Sequence, residues 1–374
     1  MIKPQINLES ITLTSQQAAL LLCCIPNLGP RRIKKLIGHC SGATNVLKVT
    51  VDKLLEINGI DPSHLKHLRN WKPYLAQVKK RGKKDKSTGL KVIYGEENYP
   101  LALSHTADPP TVFFQKGEVN RGNPRIISIV GTRTPTGVGI RLCEALLVEL
   151  APYKPLIVSG FARGIDITAH KKAIELGLET VAVLGHSFGQ WYPTSHSKYV
   201  EPLLKQGAFI TEFWSEDPFE RSNFLKPNRI IAGAAHAIVV VQSSKEGGSL
   251  VTADHALAYG REVFAFPGRP TDPKSLGCLR LIKNDQARMI RHGKDFIQWM
   301  NWEEKKTKQN VQKTLFLDLS EKEKQVFSCL EEALTLDELS LKSKQPIATT
   351  AAILLQLELK GAVRSIGGNK FERC

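Results

Sequence analysis

With 374 residues, 42% of them apolar and 24% charged, the chain is long enough for two or three hydrophobic cores and too apolar to be mainly disordered. Its 52 Lys and Arg residues outnumber 36 Asp and Glu, a formal charge of +16, which favours a polyanionic partner, most simply nucleic acid. The longest uninterrupted apolar run, Ala18 to Ile25, is eight residues against the ~20 that span a bilayer. The opening MIKPQINLES lacks an apolar signal core, so a cytoplasmic protein without a membrane partner is expected. Seven scattered cysteines with no CxxC pair and no zinc-like Cys/His spacing read as reduced thiols, with no metal site.

In chain order, residues 1–78 read as helical, with apolar positions at helical spacing in QQAALLLCCI and VDKLLEINGI. The charge excess lies here: residues 1–91 carry 17 basic and 5 acidic side chains, net +12. It is densest in KKRGKKDK (79–86), read with its surroundings as a basic linker over 79–90. From 91 to 302 short β-branched runs alternate with amphipathic segments. The runs are IISIV (126–130), LIVS (156–159), TVAVL (180–184), FIT (209–211), AIVVV (237–241) and EVFAF (262–266). Between them GIRLCEALLVEL, GIDITAHKKAIELG, SKYVEPLLKQ and SLVTADHALAYG are long enough for helices. Strands alternating with helices imply an α/β domain with a parallel sheet covered on both faces, a Rossmann-like arrangement. A polar stretch at 303–314 is expected to be a second linker. Residues 315–374 then read as three helices and a two-strand ribbon turning at Gly367-Gly368, a small winged helix with 12 basic and 11 acidic residues over 303–374.

Ligands of an open parallel sheet bind beyond the carboxyl ends of its strands, where loop amides and helix N-termini converge. After IISIV come Gly131-Thr132-Arg133, Gly137 and Gly139, suited to phosphate or base contact but spaced unlike the GxGxxG of a dinucleotide site. After LIVS, Gly160 and Gly164 flank Arg163; Asp166 reads as a helix cap and His170 as a structural histidine. After TVAVL the loop GQWYPTSHS brings Trp191 and Tyr192, read as packing groups that keep the loop on the domain. Lys226, Asn228 and Arg229 precede the fifth run, Gly248 and Ser249 open a helix with Thr252 one turn in, and Arg269 follows Pro267-Gly268. No Walker A sequence, HExxH or Ser-His-Asp ordering appears. Several turns that bring glycine amides and cations to one edge, without an evident acid, base or nucleophile, suit holding a phosphodiester chain better than cutting it.

VGTR, SGFARGID–AH, VLGHSFGQWYP, F–NRIIAG, GGSLVTA–A and GREVFAFPG, in this order over residues 92–292, resemble the signatures of the DprA/Smf (DNA-processing protein A) family. IPNLGPRRIKKLI is similar to a SAM-like, helix-hairpin-helix N-terminal domain, and LLEINGI to a degenerate second copy or a plain helix-turn-helix spacer. The resemblance implies a non-enzymatic protein that binds single-stranded DNA cooperatively and without sequence preference. It implies protection of incoming DNA and loading of the RecA recombinase during natural transformation, with displacement or accommodation of single-strand-binding protein. It also implies a homodimer formed by the Rossmann-like domain, self-association on DNA, and no cofactor. Motif position implies a DNA pocket of Gly131, Arg133, Arg163, Gly164, Lys226, Asn228 and Arg229, with Gly248 and Ser249 as neighbours. The chain departs from the family pattern at Pro227, where an Arg is usual and Lys226 stands as the replacement cation, and at Gly247 and Leu279.

Two other readings compete. GGSLVTADHA loosely resembles the glycine motif of lysine-decarboxylase-like nucleoside-monophosphate phosphoribohydrolases, but the following helix offers Asp254 where those enzymes use a glutamate. A DNA-reading winged helix is the other, against which the net +1 of residues 303–374 speaks.

Overall fold

The computed structural model describes residues 13–84, 89–220, 223, 225–302, 319–365 and 370–373. Two compact units divide at Trp302.

The first unit opens with six helices: α1 (Ser15–Cys24), α2 (Pro30–Cys40), α3 (Ala43–Val46), α4 (Val51–Leu55), α5 (Pro62–Arg69) and α6 (Lys72–Lys84). Thr14 closes a reciprocal capping box on α1 with Gln17, and Pro30 occupies the first turn of α2, where a missing N–H costs nothing. The stretch read as a linker is helical up to Lys84, because Val78 is buried and α6 runs on without a breaker until Gly82. Residues 85–88 of that linker, all of the linker at 303–314, and the Gly367-Gly368 turn lie outside the described residues.

A nine-stranded sheet follows. Its strands are β1 (Leu90–Ile93), β2 (Val112–Gly117), β3 (Ile126–Val130), β4 (Leu156–Gly160), β5 (Thr180–Val183), β6 (Gly207–Thr211), β7 (Ala237–Val240), β8 (Glu262–Ala265) and β9 (Arg288–Met289). Their spatial order is β1-β2-β6-β5-β4-β3-β7-β8-β9. From β6 to β9 every pairing is parallel, whereas β2 pairs antiparallel with both β6 and β1. All six runs expected as strands are present, and the antiparallel edge pair β1–β2 and the short parallel edge strand β9 are additions.

The intervening helices are α7 (Leu101–Ser104), α8 (Gly137–Leu150), α9 (Ile165–Glu175), α10 (Val200–Lys205), α11 (Pro227–Ala234), α12 (Gly248–Ala258), α13 (Leu276–Lys283) and α14 (Gly293–Trp299). One face of the sheet packs on α8, α9 and α14 through Ile127, Ile157, Val239, Leu147 and Phe296. The other packs on α7, α11, α12 and α13 through Val130, Val158, Val240, Ile230 and Leu281. Burial on both faces explains the continuous apolar strands. The N-terminal helices share a core with Ile93, Val112, Phe114 and Trp214 of the sheet domain, so the two blocks form one compact unit. Arg81 pairs with Asp217 and lies 5.2 Å over the Trp214 ring.

The second unit contains α15 (Glu321–Ser328), β10 (Leu334–Thr335), α16 (Leu336–Ser343), α17 (Ile347–Leu359), β11 (Val363–Ser365) and β12 (Lys370–Arg373). Three helices pack around Val326, Leu339, Ile353, Leu354 and Leu357, and β10 joins the expected ribbon as a third strand, completing a winged helix. No helix among the described residues is long and apolar enough to cross a membrane.

Candidate nucleic-acid interface

The sheet reverses its winding between β3 and β7. The chain travels outward from β3 through β4 and β5 on one side and from β7 through β8 on the other. Loops therefore separate at the carboxyl ends of these two strands and leave a crevice. A cavity of about 700 Å³ occupies it, lined by the turns after β3, β4, β5 and β7 and by the start of α11.

Backbone contacts hold these turns together. The Thr132 amide, just past β3, donates to Gln242 O past β7 at 2.7 Å, and the Ile165 amide of α9 donates to Thr132 O at 3.2 Å. The Gln242 side chain accepts the Thr136 amide at 2.9 Å and donates to Asp272 Oδ2 at 3.1 Å. Two glycines are required by this closeness. A Cβ on Gly131 would stand 2.5 Å from Ile165 Cγ1, and one on Gly139 would stand 2.4 Å from Gln242 Oε1. Thr136 caps α8 by accepting the Gly139 amide at 3.2 Å.

Of the nine residues assigned to the pocket by motif, six line the cavity: Gly131, Arg133, Arg163, Asn228, Gly248 and Ser249. Arg133 and Arg163 are exposed at its mouth. Asn228 donates to Gly248 O at 3.3 Å, tying α11 to the start of α12. Ser249 donates to Ser243 Oγ at 2.9 Å. Gly164 stands behind the lining and shapes it: its φ of +84° lets the turn pass against Thr132. Lys226 is exposed next to the lining residues Leu225 and Pro227, with Nζ 5.4 Å from the Phe213 ring centre.

Arg229 does not face the cavity. It donates to Glu212 Oε1 at 2.5 Å and to Asp108 O at 3.1 Å, an ion pair whose two side chains are 14% and 21% exposed. Adjacent helical residues point about 100° apart, so Asn228 and Arg229 serve different sides of α11.

Asp166 lies in the first turn of α9 and lines the cavity. It is not the helix cap, a position held by Gly164. Its Oδ2 accepts the Ala162 amide at 3.4 Å. Burial pushes the carboxyl up to about 7, opposed by the Ala162 amide and the Arg133 guanidinium. His170 is structural as expected, bonded to Thr180 Oγ1 and Gly160 O, both at 2.7 Å. Burial holds it neutral, down to about 4. Trp191 packs on Phe209 with ring centres 4.8 Å apart, whereas Tyr192 is 45% exposed and lines the cavity. Sequence reasoning left His186, Ser243 and Ser244 out of the lining. Only their positions directly after β5 and β7 signalled them.

The cavity thus combines two arginines at its mouth, hydroxyls and amides along its wall, the Asp166 carboxyl with a poised proton, and the exposed carboxylate of Glu246. Such a set can hold an anionic, hydrogen-bonding chain by its phosphates.

Comparison with known proteins agrees in extent and in fold. A family model described as DNA recombination-mediator protein A matches residues 91–301, and one described as the DprA winged helix domain matches residues 317–369. The DNA processing protein DprA of Bacillus subtilis is 37% identical over 188 residues, 50% of this chain and 63% of that one. Protein Smf of Escherichia coli is 32% identical over 278 residues, 73% of this chain and 74% of that one. Among solved structures, DprA of Streptococcus pneumoniae superposes with a TM-score of 0.65 at 25% identity, covering 77% of this chain and 98% of that one. DprA of Helicobacter pylori, described for its single-stranded DNA binding mode, gives 0.52 at 26% identity, covering 58% and 98%. With its family model spanning the whole sheet domain, the chain belongs to the DNA recombination-mediator protein A (DprA/Smf) family.

Proposed function

We propose that the chain is a single-stranded DNA-binding recombination mediator. Its strand-end cavity holds the phosphodiester backbone without sequence preference, protects the strand, and presents it for loading of the RecA recombinase during natural transformation. In this reading single-strand-binding protein is displaced or accommodated, the sheet domain forms the homodimer, and the work is done in the cytoplasm without a cofactor. The observation that carries it is the convergence of Arg133 and Arg163 on one cavity at the β3–β7 switch point. The Helicobacter pylori neighbour, described by its single-stranded DNA binding, supports the same ligand class. Binding rather than cleavage is favoured because polar groups of the wall are engaged with one another, the Asn228 side chain with the Gly248 carbonyl and the Ser249 hydroxyl with Ser243.

The test is salt-dependent anisotropy with a labelled oligonucleotide of mixed sequence. Each phosphate contact on a single strand adds about −0.7 to the slope of log K against log salt. Arg133→Ala and Arg163→Ala should each weaken binding about tenfold and flatten the slope by about that increment. Binding that ignores both substitutions and salt would refute the reading.

A further inference from the structure

The winged helix carries an apolar stripe on the wrong side for a core. In α17, Thr350, Ile353, Leu354 and Leu357 are buried against the other helices. On the opposite face Ala348, Ala352, Leu355 and Leu359 are all exposed, with Leu355 at 59% and Leu359 at 80%. Their spacing of four, three and four residues is the seam of a helix pair rather than scattered surface leucine. The sequence of α17, IATTAAILLQLEL, holds no Lys or Arg and one Glu. A helix that reads duplex DNA needs cations on its outer face, and this one has none.

The seam is self-complementary in one orientation. Set antiparallel about a twofold axis, Leu359 of one copy meets Ala348 of the other, and Leu355 meets Ala352. Large side chains then fill the holes left by small ones at every level. Parallel pairing would stack alanine on alanine at one end and leave voids there. Charge does not oppose the pairing: Glu358, the one charged residue of α17, lies on a flank of the seam. Lys360 is occupied within its own chain by Glu323, at 2.7 Å. We propose that two copies of this chain pair through α17, making the winged helix a self-association module. The patch is smaller than the ~800 Å² per partner of a stable interface, so the contact is weak between free chains. It gains strength where another tether raises the local concentration.

This inference is independent of the DNA-binding reading and is tested without DNA, by sedimentation equilibrium of the full chain over a concentration series. Leu355→Glu should lower the association constant of one step at least tenfold, with the circular dichroism unchanged because the side chain is exposed. The double variant Ala352→Lys/Leu355→Glu, which sets opposite charges across the proposed register, should recover the step and make it salt-sensitive. Ala352→Glu/Leu355→Glu should not recover it. The proposal is overturned if Leu355→Glu leaves every association step unchanged, if the opposite-charge variant behaves like the like-charge one, or if the wild-type chain shows no self-association at high concentration.

Discussion

Arg229 and Glu212 form an ion pair at 2.5 Å that ties α11 to the end of β6, with Asp108 O as a second acceptor at 3.1 Å. Both side chains are more than three-quarters buried, so removing one partner leaves a desolvated charge in place. Arg229→Ala is expected to destabilise the first unit by about 3 kcal/mol. Arg133→Ala, at an exposed side chain of the cavity lining, should cost clearly less stability than that. Urea unfolding separates the two from oligonucleotide binding. A stable Arg229→Ala protein with lost affinity would reassign Arg229 to the cavity.

That pair also marks where the sequence stops being informative. The six core strands were legible because β-branched runs bounded by glycine have few alternatives, and the position of the cavity followed from what stands after each run. Which side of α11 each residue serves was not legible. KPNRIIAG reads as one motif, yet the turn between Asn228 and Arg229 sends one to Gly248 and the other to Glu212. The acidic partner lies 17 residues away on another element, and no local pattern announces it. The same holds for Lys79–Lys84, whose charge resembles a linker while Arg81 docks on Asp217 and Trp214. The stripe on α17 was in plain view as sequence but could not be assigned to solvent until the packing of Ile353, Leu354 and Leu357 fixed the inner face.

Gly164 connects the turn after β4 to the turn after β3. Its φ is +84°, and a Cβ would stand 2.2 Å from Thr132 O and 2.7 Å from the Arg133 carbonyl carbon. Gly164→Ala therefore carries both backbone strain and a clash with main chain that cannot rotate away. The expected cost is about 2–3 kcal/mol, with a loss of DNA affinity because Arg133 is displaced. Gly177 is the control. Its φ is +69° with nothing within 4 Å of a Cβ, so Gly177→Ala should cost only about 1 kcal/mol and leave binding intact. Equal effects on binding would show that the turn geometry does not position Arg133.

Asp166 should make both stability and binding depend on pH. Its carboxyl is raised from an ordinary 3.8 to about 7 by burial. Below pH 3.8 the group is protonated in folded and unfolded chains alike and contributes no difference. Between 3.8 and about 7 the unfolded chain releases the proton while the folded chain keeps it, so stability falls as pH rises. Above 7 the loss levels off, at most about 4 kcal/mol for a shift of this size. Asp166→Asn keeps an acceptor for the Ala162 amide without the charge. It should match the wild type near pH 4 and exceed it at pH 8 when both are unfolded in urea. Ionisation also places a negative charge in the cavity proposed to hold phosphate, so wild-type affinity for single-stranded DNA should decline from pH 6 to 8 while that of Asp166→Asn stays level. A wild type and variant whose difference in stability does not change with pH would mean that Asp166 is ionised throughout, held so by Arg133.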